Sequence, residues 1–296
     1  MTAVLRAPGA PSKAESPTRA VRFARLLRRR PSFALGLAIV LFYVVLAVFG
    51  PSLTIYEPTK PHPRNTLEAP SSAFAFGTDR FGRDILTRVV HATRLDLVIS
   101  ASVAMTAFAL GSLIGGIVGY YGGWLDDAVM RIADVLFAFP AFILAMAITG
   151  ALGDSVPNVI VAIATAYTPF FVRLTRGEML TLRRQQYADA ARSVGNPRWR
   201  IMLFHLLPNA LTPSLMQAPL VFGWAILDVA GLAFLGLGIT PPTAEWGVLV
   251  SEGAQHIVTG EWWIWLFPGA AIVLASLGFS LVGDSLRDIR SHREPG

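Results

Sequence analysis

The chain has no cysteine, which excludes disulfides, thiolate catalysis and cysteine-based metal sites. It is also poor in charge. Only 15% of its 296 residues are Asp, Glu, Lys or Arg, where a soluble domain carries about 25%. Against that deficit, 53% of the residues are hydrophobic and the mean hydropathy is +0.53, which indicates a membrane protein. Lysine is nearly missing. Lys13 and Lys60 are the only two, and neither fits the G-x-x-x-x-G-K-[S/T] frame of a phosphate-binding loop. The histidines (His62, His91, His205, His256 and His292) are scattered without metal-ligand spacing. No H-E-x-x-H motif or Ser/His/Asp set occurs, so no catalytic and no metal-ligating residue is assigned. A membrane enzyme is poorly supported.

The formal net charge of +6 does not indicate nucleic acid, because the basic residues form no binding face. Eight lie in residues 1–30, seven between Arg173 and Arg200, and three after Asp284. These segments flank hydrophobic runs, as cytoplasmic loops do under the positive-inside rule. Residues 1–32, with Pro8, Pro11 and Pro17, read as a disordered cytoplasmic arm. The apolar run from Phe33 to Phe49 follows Arg28, Arg29 and Arg30. A cleaved signal peptide needs a shorter charged region and a small-x-small exit, which Phe49 spoils, so the run reads as an uncleaved first span.

Crossing about 30 Å of hydrocarbon takes about 20 helical residues. The candidate spans are Phe33–Ile55, Leu97–Tyr120, Val129–Gly150, Ser155–Val172, Ser214–Leu237 and Trp262–Gly283. Four spans separate the arm from the basic Arg173–Arg200 loop, and two more return the Arg287/Arg290/Arg293 tail to the same side. The expected architecture is an all-α membrane protein with six transmembrane helices and both termini cytoplasmic. Its parts are the arm (1–32), the first helix (33–55), an extracytoplasmic loop (56–96), a transmembrane core (97–283) holding a cytoplasmic loop (174–209), and a cytoplasmic tail (284–296). The loop from Glu57 to Asp96 holds six basic and five acidic residues and is nearly neutral, and Gly122–Ala128 has two aspartates and no base. Local charge there argues weakly for the inverse orientation, but long loops follow the rule poorly. Gly111, Gly115 and Gly119 place three small residues on one face of the second span, where a helix can approach closely. Glycine is also simply commoner in membrane helices.

The polar stretch Gln186–Asn209, QYADAARSVGNPRWRIMLFHLLPN, is too charged for lipid. Residues from about Gly177 to Val194 suit a helix, with Gly195 as a left-handed C-cap. Asn196-Pro197 then starts a second helix, running to about Leu206, where Pro208 breaks the pattern. Ala188, Ala190 and Ala191 leave room for another protein's groove to close over them. Arg183, Arg184, Arg192, Arg198 and Arg200 suit acids on that partner or anionic lipid. An amphipathic interfacial hairpin without a partner fits the same pattern. Phe76–Asp84, FGTDRFGRD, reads as a turn cluster in which Asp79 and Asp84 accept local backbone hydrogen bonds. Pro241–Gly247, PPTAEWG, reads as a rigid outer turn with Trp246 at the interface, and Trp262, Trp263 and Trp265 as an aromatic belt. Asp228 is an acid inside a span. It either lines a passage or makes a buried structural bond. Asp134 reads as interfacial.

Three of these stretches together resemble the membrane subunits of ABC importers. The E-A-A-x3-G-x9-hydrophobic-x-L-P signature of that family is matched by Asp189-Ala190-Ala191, Gly195 and His205-Leu206-Leu207-Pro208, with Asp for Glu and His at the hydrophobic position. His-x-Leu-Pro-Asn is typical of the dipeptide/oligopeptide/nickel branch. Residues 76–84 resemble that branch's FGTDxxGRD motif, and Leu232–Gly238 with Pro241–Gly247 resemble its LSFLGLG…PPTPEWG segment. The motifs cover roughly residues 74–252 in the expected order. The resemblance implies the type I importer permease fold and a C-type permease subunit translocating dipeptides or oligopeptides. It implies an ATPase-coupling loop through Tyr187, Ala188, Asp189, Ala190, Ala191, Gly195, Arg198, His205, Leu207 and Pro208. It also places Asp228 on the translocation path, and Asp79, Arg83, Asp84, Glu245 and Trp246 at the outer vestibule or at a binding-protein docking site.

The implied partners are a homologous B-type permease subunit, two ATP-binding cassette ATPases, an extracytoplasmic peptide-binding protein and the lipid bilayer, with no nucleic acid. No cofactor is bound by this chain; ATP and Mg are used by the partner ATPases. The implied location is the cytoplasmic (inner) membrane of a bacterium, multi-pass. The same motifs serve nickel-chelate or glutathione-like solutes. A self-sufficient secondary transporter is the alternative from another class, but such proteins usually have more spans and inverted repeats, and no repeat is visible here.

Overall fold

A proline at the first helical turn opens the first span, where its missing N–H costs nothing. In a computed structural model, which describes residues 30–291, this helix is α1 (Pro31–Leu53). Residues 1–29 of the expected arm and residues 292–296 of the expected tail lie outside the described residues. A loop follows, and then α2 (Ile85–Tyr121), whose start is capped by Asp84 accepting from the Thr87 N–H at 2.8 Å. At roughly 1.5 Å per residue its 37 residues reach about 55 Å, well beyond the hydrocarbon thickness. α2 therefore links the two ends of the molecule.

The expected third span is not one straight helix. α3 (Gly123–Phe137) and α4 (Ala141–Leu152) meet at a bend of 92°. Pro140 sits at the break. It has no N–H to give a continuing helix, and its ring pushes Phe139 out of helical geometry. The described residues hold five helices long and apolar enough to span, or six with this bent pair counted as one.

α5 (Val156–Leu182) begins at the Ser155 cap and runs ten residues past the apolar part read from sequence. The expected Gly177–Val194 helix is thus divided. α5 ends at Leu182, and the chain turns where Arg183 reaches back to the Gly119 and Tyr120 carbonyls at 3.0 and 3.2 Å. α6 (Gln186–Ser193) follows. The second expected helix does not stop at Leu206 either. α7 (Arg198–Arg200) passes through a π-helical stretch (Ile201–Leu206) directly into α8 (Leu207–Phe234). A proline clashes with the carbonyl four residues before it in an α-helix. The wider π turns shift that ladder, so Pro208 is absorbed at the start of α8. A short α9 (Trp246–Ala254) and a long α10 (Trp263–Ser291) complete the fold. No strand occurs among the described residues.

Small residues decide the central contact. A methyl added at Gly111 would lie 2.6 Å from Phe171 Cβ, and one at Gly119 would lie 2.9 Å from Met179 Cβ. One at Gly115 would overlap the Val172 carbonyl. The glycine face of α2 is therefore pressed against α5, as small-residue stripes permit. Across the molecule, Tyr43 of α1 donates to the Ala271 carbonyl of α10 at 3.0 Å. Large apolar side chains such as Phe42 and Met105 remain exposed, which suits a hydrocarbon solvent and not water.

Candidate functional site

The hairpin of α6 and α7 sits where α2 ends. Its inner face is apolar: Ala188 and Ala191 are buried against Ile201, Met202 and Leu206, in a cluster with Tyr120 and Met179. Small side chains let α6 lie close to the base of α8. Of the three alanines expected to face a partner, only Ala190 points outward. Gly195 makes the turn with φ +82°, the left-handed region where glycine has no steric penalty. Its N–H donates to the Arg192 carbonyl at 2.9 Å, and the Asn196 side chain donates to the Ala191 carbonyl at 3.2 Å. Arg192 pairs with Asp189 at 2.7 Å and donates to the Arg183 carbonyl at 3.0 Å, which pins α6 to the end of α5. These are local bonds within the hairpin.

The outer face of the hairpin combines apolar bulk with positive charge. Val194 is 82% exposed, Phe204 67%, Trp199 54% and Tyr187 41%. Trp199 and Phe204 meet edge to face, with ring centroids 6.3 Å apart. Arg198 and Arg200 are exposed next to them. His205 stays local, with Nδ1 3.3 Å from the Arg200 carbonyl, while Asn209 donates to the His205 carbonyl. Leu207 is half-buried and Pro208 exposed. An open cleft of about 490 Å³ runs between Tyr120, Arg192 and Arg198. The exposed aromatic pair was not singled out in the sequence; the signal was Trp199 lying between two arginines.

Asp228 is half-buried on α8 and accepts from the Tyr167 hydroxyl of α5 at 2.7 Å. Tyr167 in turn stacks on Trp224, at 6.1 Å between centroids. The acid within the span therefore has an interhelical partner on α5.

The opposite end of α2 holds the other motif residues, and all five are interior. Asp79, Arg83, Asp84, Glu245 and Trp246 are each 4% exposed or less. Asp79 accepts from the backbone of Phe81 and Arg83, from Arg83 Nε at 2.6 Å and from Arg88 Nη1 at 2.8 Å. Glu252 of α9 closes the ring, accepting from Arg83 Nη2 at 3.0 Å and from Arg88 Nη1 at 2.6 Å. Two arginines and two acids thus balance in a buried network, as buried charge requires. Glu245 caps α9 through the Val248 N–H at 2.7 Å, and the Trp246 indole donates to the Val89 carbonyl at 3.1 Å. Together these bonds tie α2, α9 and the loop before α2 to one another. Arg88 and Glu252 were missed as members of this network. Their signal was present, as charged residues inside otherwise apolar helices.

The chain matches family models and named relatives over most of its length. Residues 111–293 match the model of the binding-protein-dependent transport system inner membrane component, and residues 18–70 match that of the N-terminal TM domain of oligopeptide transport permease C. The chain is 42% identical over 262 residues to the dipeptide transport system permease protein DppC of Alkalihalophilus pseudofirmus, covering 88% of this chain and 86% of that protein. It is 38% identical to the di/tripeptide transport system permease protein DppC of Pseudomonas aeruginosa, over 86% of this chain and 85% of that one. It is also 38% identical to the glutathione transport system permease protein GsiD of Pectobacterium atrosepticum, over 89% and 87% of the two chains.

Proposed function

The chain belongs to the family of binding-protein-dependent transport system inner membrane components, whose members are membrane subunits and not enzymes, and from that premise we propose that it is the C-type permease of an ATP-driven importer of short peptides. ATP hydrolysis belongs to partner subunits. In this reading two ATPases, a B-type permease and an extracytoplasmic binding protein complete the assembly in a bacterial cytoplasmic membrane, and the α6–α7 hairpin is the socket for one ATPase.

The observation that carries the reading is the hairpin itself. It is held to its own chain by a small apolar inner face, and it turns outward an exposed aromatic pair flanked by Arg198 and Arg200. Such an anchor beside charge suits a protein groove with acids at its rim. A push on α6 bears on Ile201 and Leu206 through Ala188 and Ala191, and these residues lead without a break into α8. α8 carries Asp228, so displacement of the socket reaches the Asp228–Tyr167 contact between α8 and α5. Closure of the ATPases shifts the equilibrium between inward- and outward-open forms only by binding them differently. Asp228 lies on the translocation path in this reading, where a carboxylate suits the ammonium end of a peptide. The names of the relatives favour di- and tripeptides, with glutathione as a peptide-like variant.

Gly195 supplies the test. Nothing lies within 4 Å of where its side chain would begin, so a bulky residue fits, but φ +82° suits only glycine or asparagine among common choices. Gly195→Asn is expected to retain peptide uptake. Gly195→Arg is expected to insert and co-purify normally while uptake and peptide-stimulated ATP hydrolysis fall to background. Wild-type uptake by Gly195→Arg would sink the assignment of this hairpin as the coupling element.

A further inference from the structure

Two carboxyls outside the Asp79–Glu252 network meet deep in the same end of the molecule. Asp96 on α2 is 2% exposed, and Glu245 at the start of α9 is 0% exposed. One oxygen of each has a backbone donor: the Trp246 N–H reaches Asp96 Oδ2 at 3.1 Å, and the Val248 N–H reaches Glu245 Oε2 at 2.7 Å. Among the described residues no donor group reaches the other two oxygens, Asp96 Oδ1 and Glu245 Oε1. Both carboxyls grip the first turn of α9, Asp96 through the Trp246 N–H and Glu245 through the Val248 N–H, which brings the two groups together at that corner. An ionised carboxylate only accepts, so a bond between two carboxyls requires that one of them keep its proton.

Among the described residues, no cation is placed to take over from that proton. On α2, Arg88 is engaged with Asp79 and Glu252, His91 lies beside Thr54, and Arg94 is exposed. Glu252 is the only ionisable side chain of α9, and it is bonded to Arg83 and Arg88. α1 presents only Tyr43, bonded to the Ala271 carbonyl, and α8 only Asp228, bonded to Tyr167. On α10 the first ionisable residue is Asp284, far along the helix, and the loop before it pairs His256 with Glu261. Both carboxyls are buried, and each keeps one oxygen without a donor.

We propose that Asp96 and Glu245 share a single proton between Asp96 Oδ1 and Glu245 Oε1, and that this proton clasps the start of α9 to α2. Two buried like charges cannot both persist at such a contact, so losing the proton forces the carboxyls apart. Glu245 opens α9, so the clasp also holds Trp246, whose indole donates to the Val89 carbonyl of α2. The clasp is thus a pH-sensitive fastening of the outer end, built from residues that play no part in the hairpin mechanism.

Burial supports the same picture by holding the Glu245 carboxyl up to about 7, from an ordinary 4.5. The direction of linkage follows. A carboxyl whose pKa is raised on folding adds stability that is fully present below the unfolded value, and that stability disappears as pH rises through the folded one.

Infrared difference spectroscopy of the purified complex, titrated from about pH 5 to about pH 9, tests the proposal. The carbonyl stretch of a protonated, deuterium-sensitive carboxylic acid is expected near neutral pH and is expected to vanish at the alkaline end. Glu245→Gln and Asp96→Asn should each remove that band. Glu245→Gln should also flatten the alkaline fall in thermal midpoint seen in the wild type, because an amide donates to Asp96 at any pH. Absence of a protonated-acid band in the wild type at the acid end would overturn the proposal without any variant. So would a band that survives in both variants, since the proton would then belong elsewhere.

Discussion

Arg88 is the residue whose loss is easiest to forecast. It is fully buried, donates to Asp79 and Glu252 through one nitrogen, and leaves Nε and Nη2 without partners. Removing it leaves two buried acids with only Arg83 between them. Breaking a buried pair in this way costs about 3–5 kcal/mol, far more than the net value of the pair itself. Arg88→Met should therefore lower the thermal midpoint sharply in detergent, and Arg88→Met with Glu252→Gln should recover part of the loss. A double variant no better than the single one would mean that the acids tolerate each other and that the network carries little energy. Little of this was legible beforehand. Asp79 and Asp84 read correctly as acceptors of local backbone bonds, because their partners lie within a few residues. Arg88 and Glu252 are 164 residues apart, and one sequence holds no signal that joins them.

At the scale of the element, the stripe Gly111, Gly115 and Gly119 was legible because its spacing alone defines a face. The partner, α5, was not named by that spacing. Gly115→Leu is expected to abolish monodisperse expression, since even a methyl there meets the Val172 carbonyl. Gly177, in the interior of α5, has open space around it, so Gly177→Ala should be tolerated and should stabilise by about 0.5–1 kcal/mol. Fluorescence-detected size exclusion reads both, and equal behaviour of the two variants would refute the close-approach account. Two departures from the sequence reading share one cause. Pro140 bends an apolar run that hydropathy reads as continuous, while Pro208 fails to end a helix that propensity would stop. Proline marks the place of an irregularity. Whether the chain bends or widens into π turns depends on what the neighbouring helices require, which is tertiary information.

At the scale of the whole molecule, α2 runs about 55 Å from the buried charge network to the hairpin, and α8 runs from the hairpin's inner face to the segment before Glu245. The two ends are therefore joined by rigid elements. Whether the hairpin's outer face meets a protein or lipid headgroups is decided by a residue that the fold does not need. Phe204 is 67% exposed, with its ring edge to face against Trp199. Surface substitutions of this kind usually change stability by less than about 0.5 kcal/mol, so Phe204→Asp should leave the chain's own thermal midpoint unchanged. A desolvated aromatic anchor at a protein interface is instead worth about 2 kcal/mol or more, and an added acid would also oppose the acidic rim that Arg198 and Arg200 call for. Phe204→Asp should thus lose the co-purifying ATPases while retaining the second permease, measured by pull-down from native membranes. Retention of the ATPases at wild-type stoichiometry would assign this face to the lipid headgroups, where an amphipathic hairpin needs no protein partner. The coupling surface would then have to be sought along the open cleft between Tyr120 and Arg198.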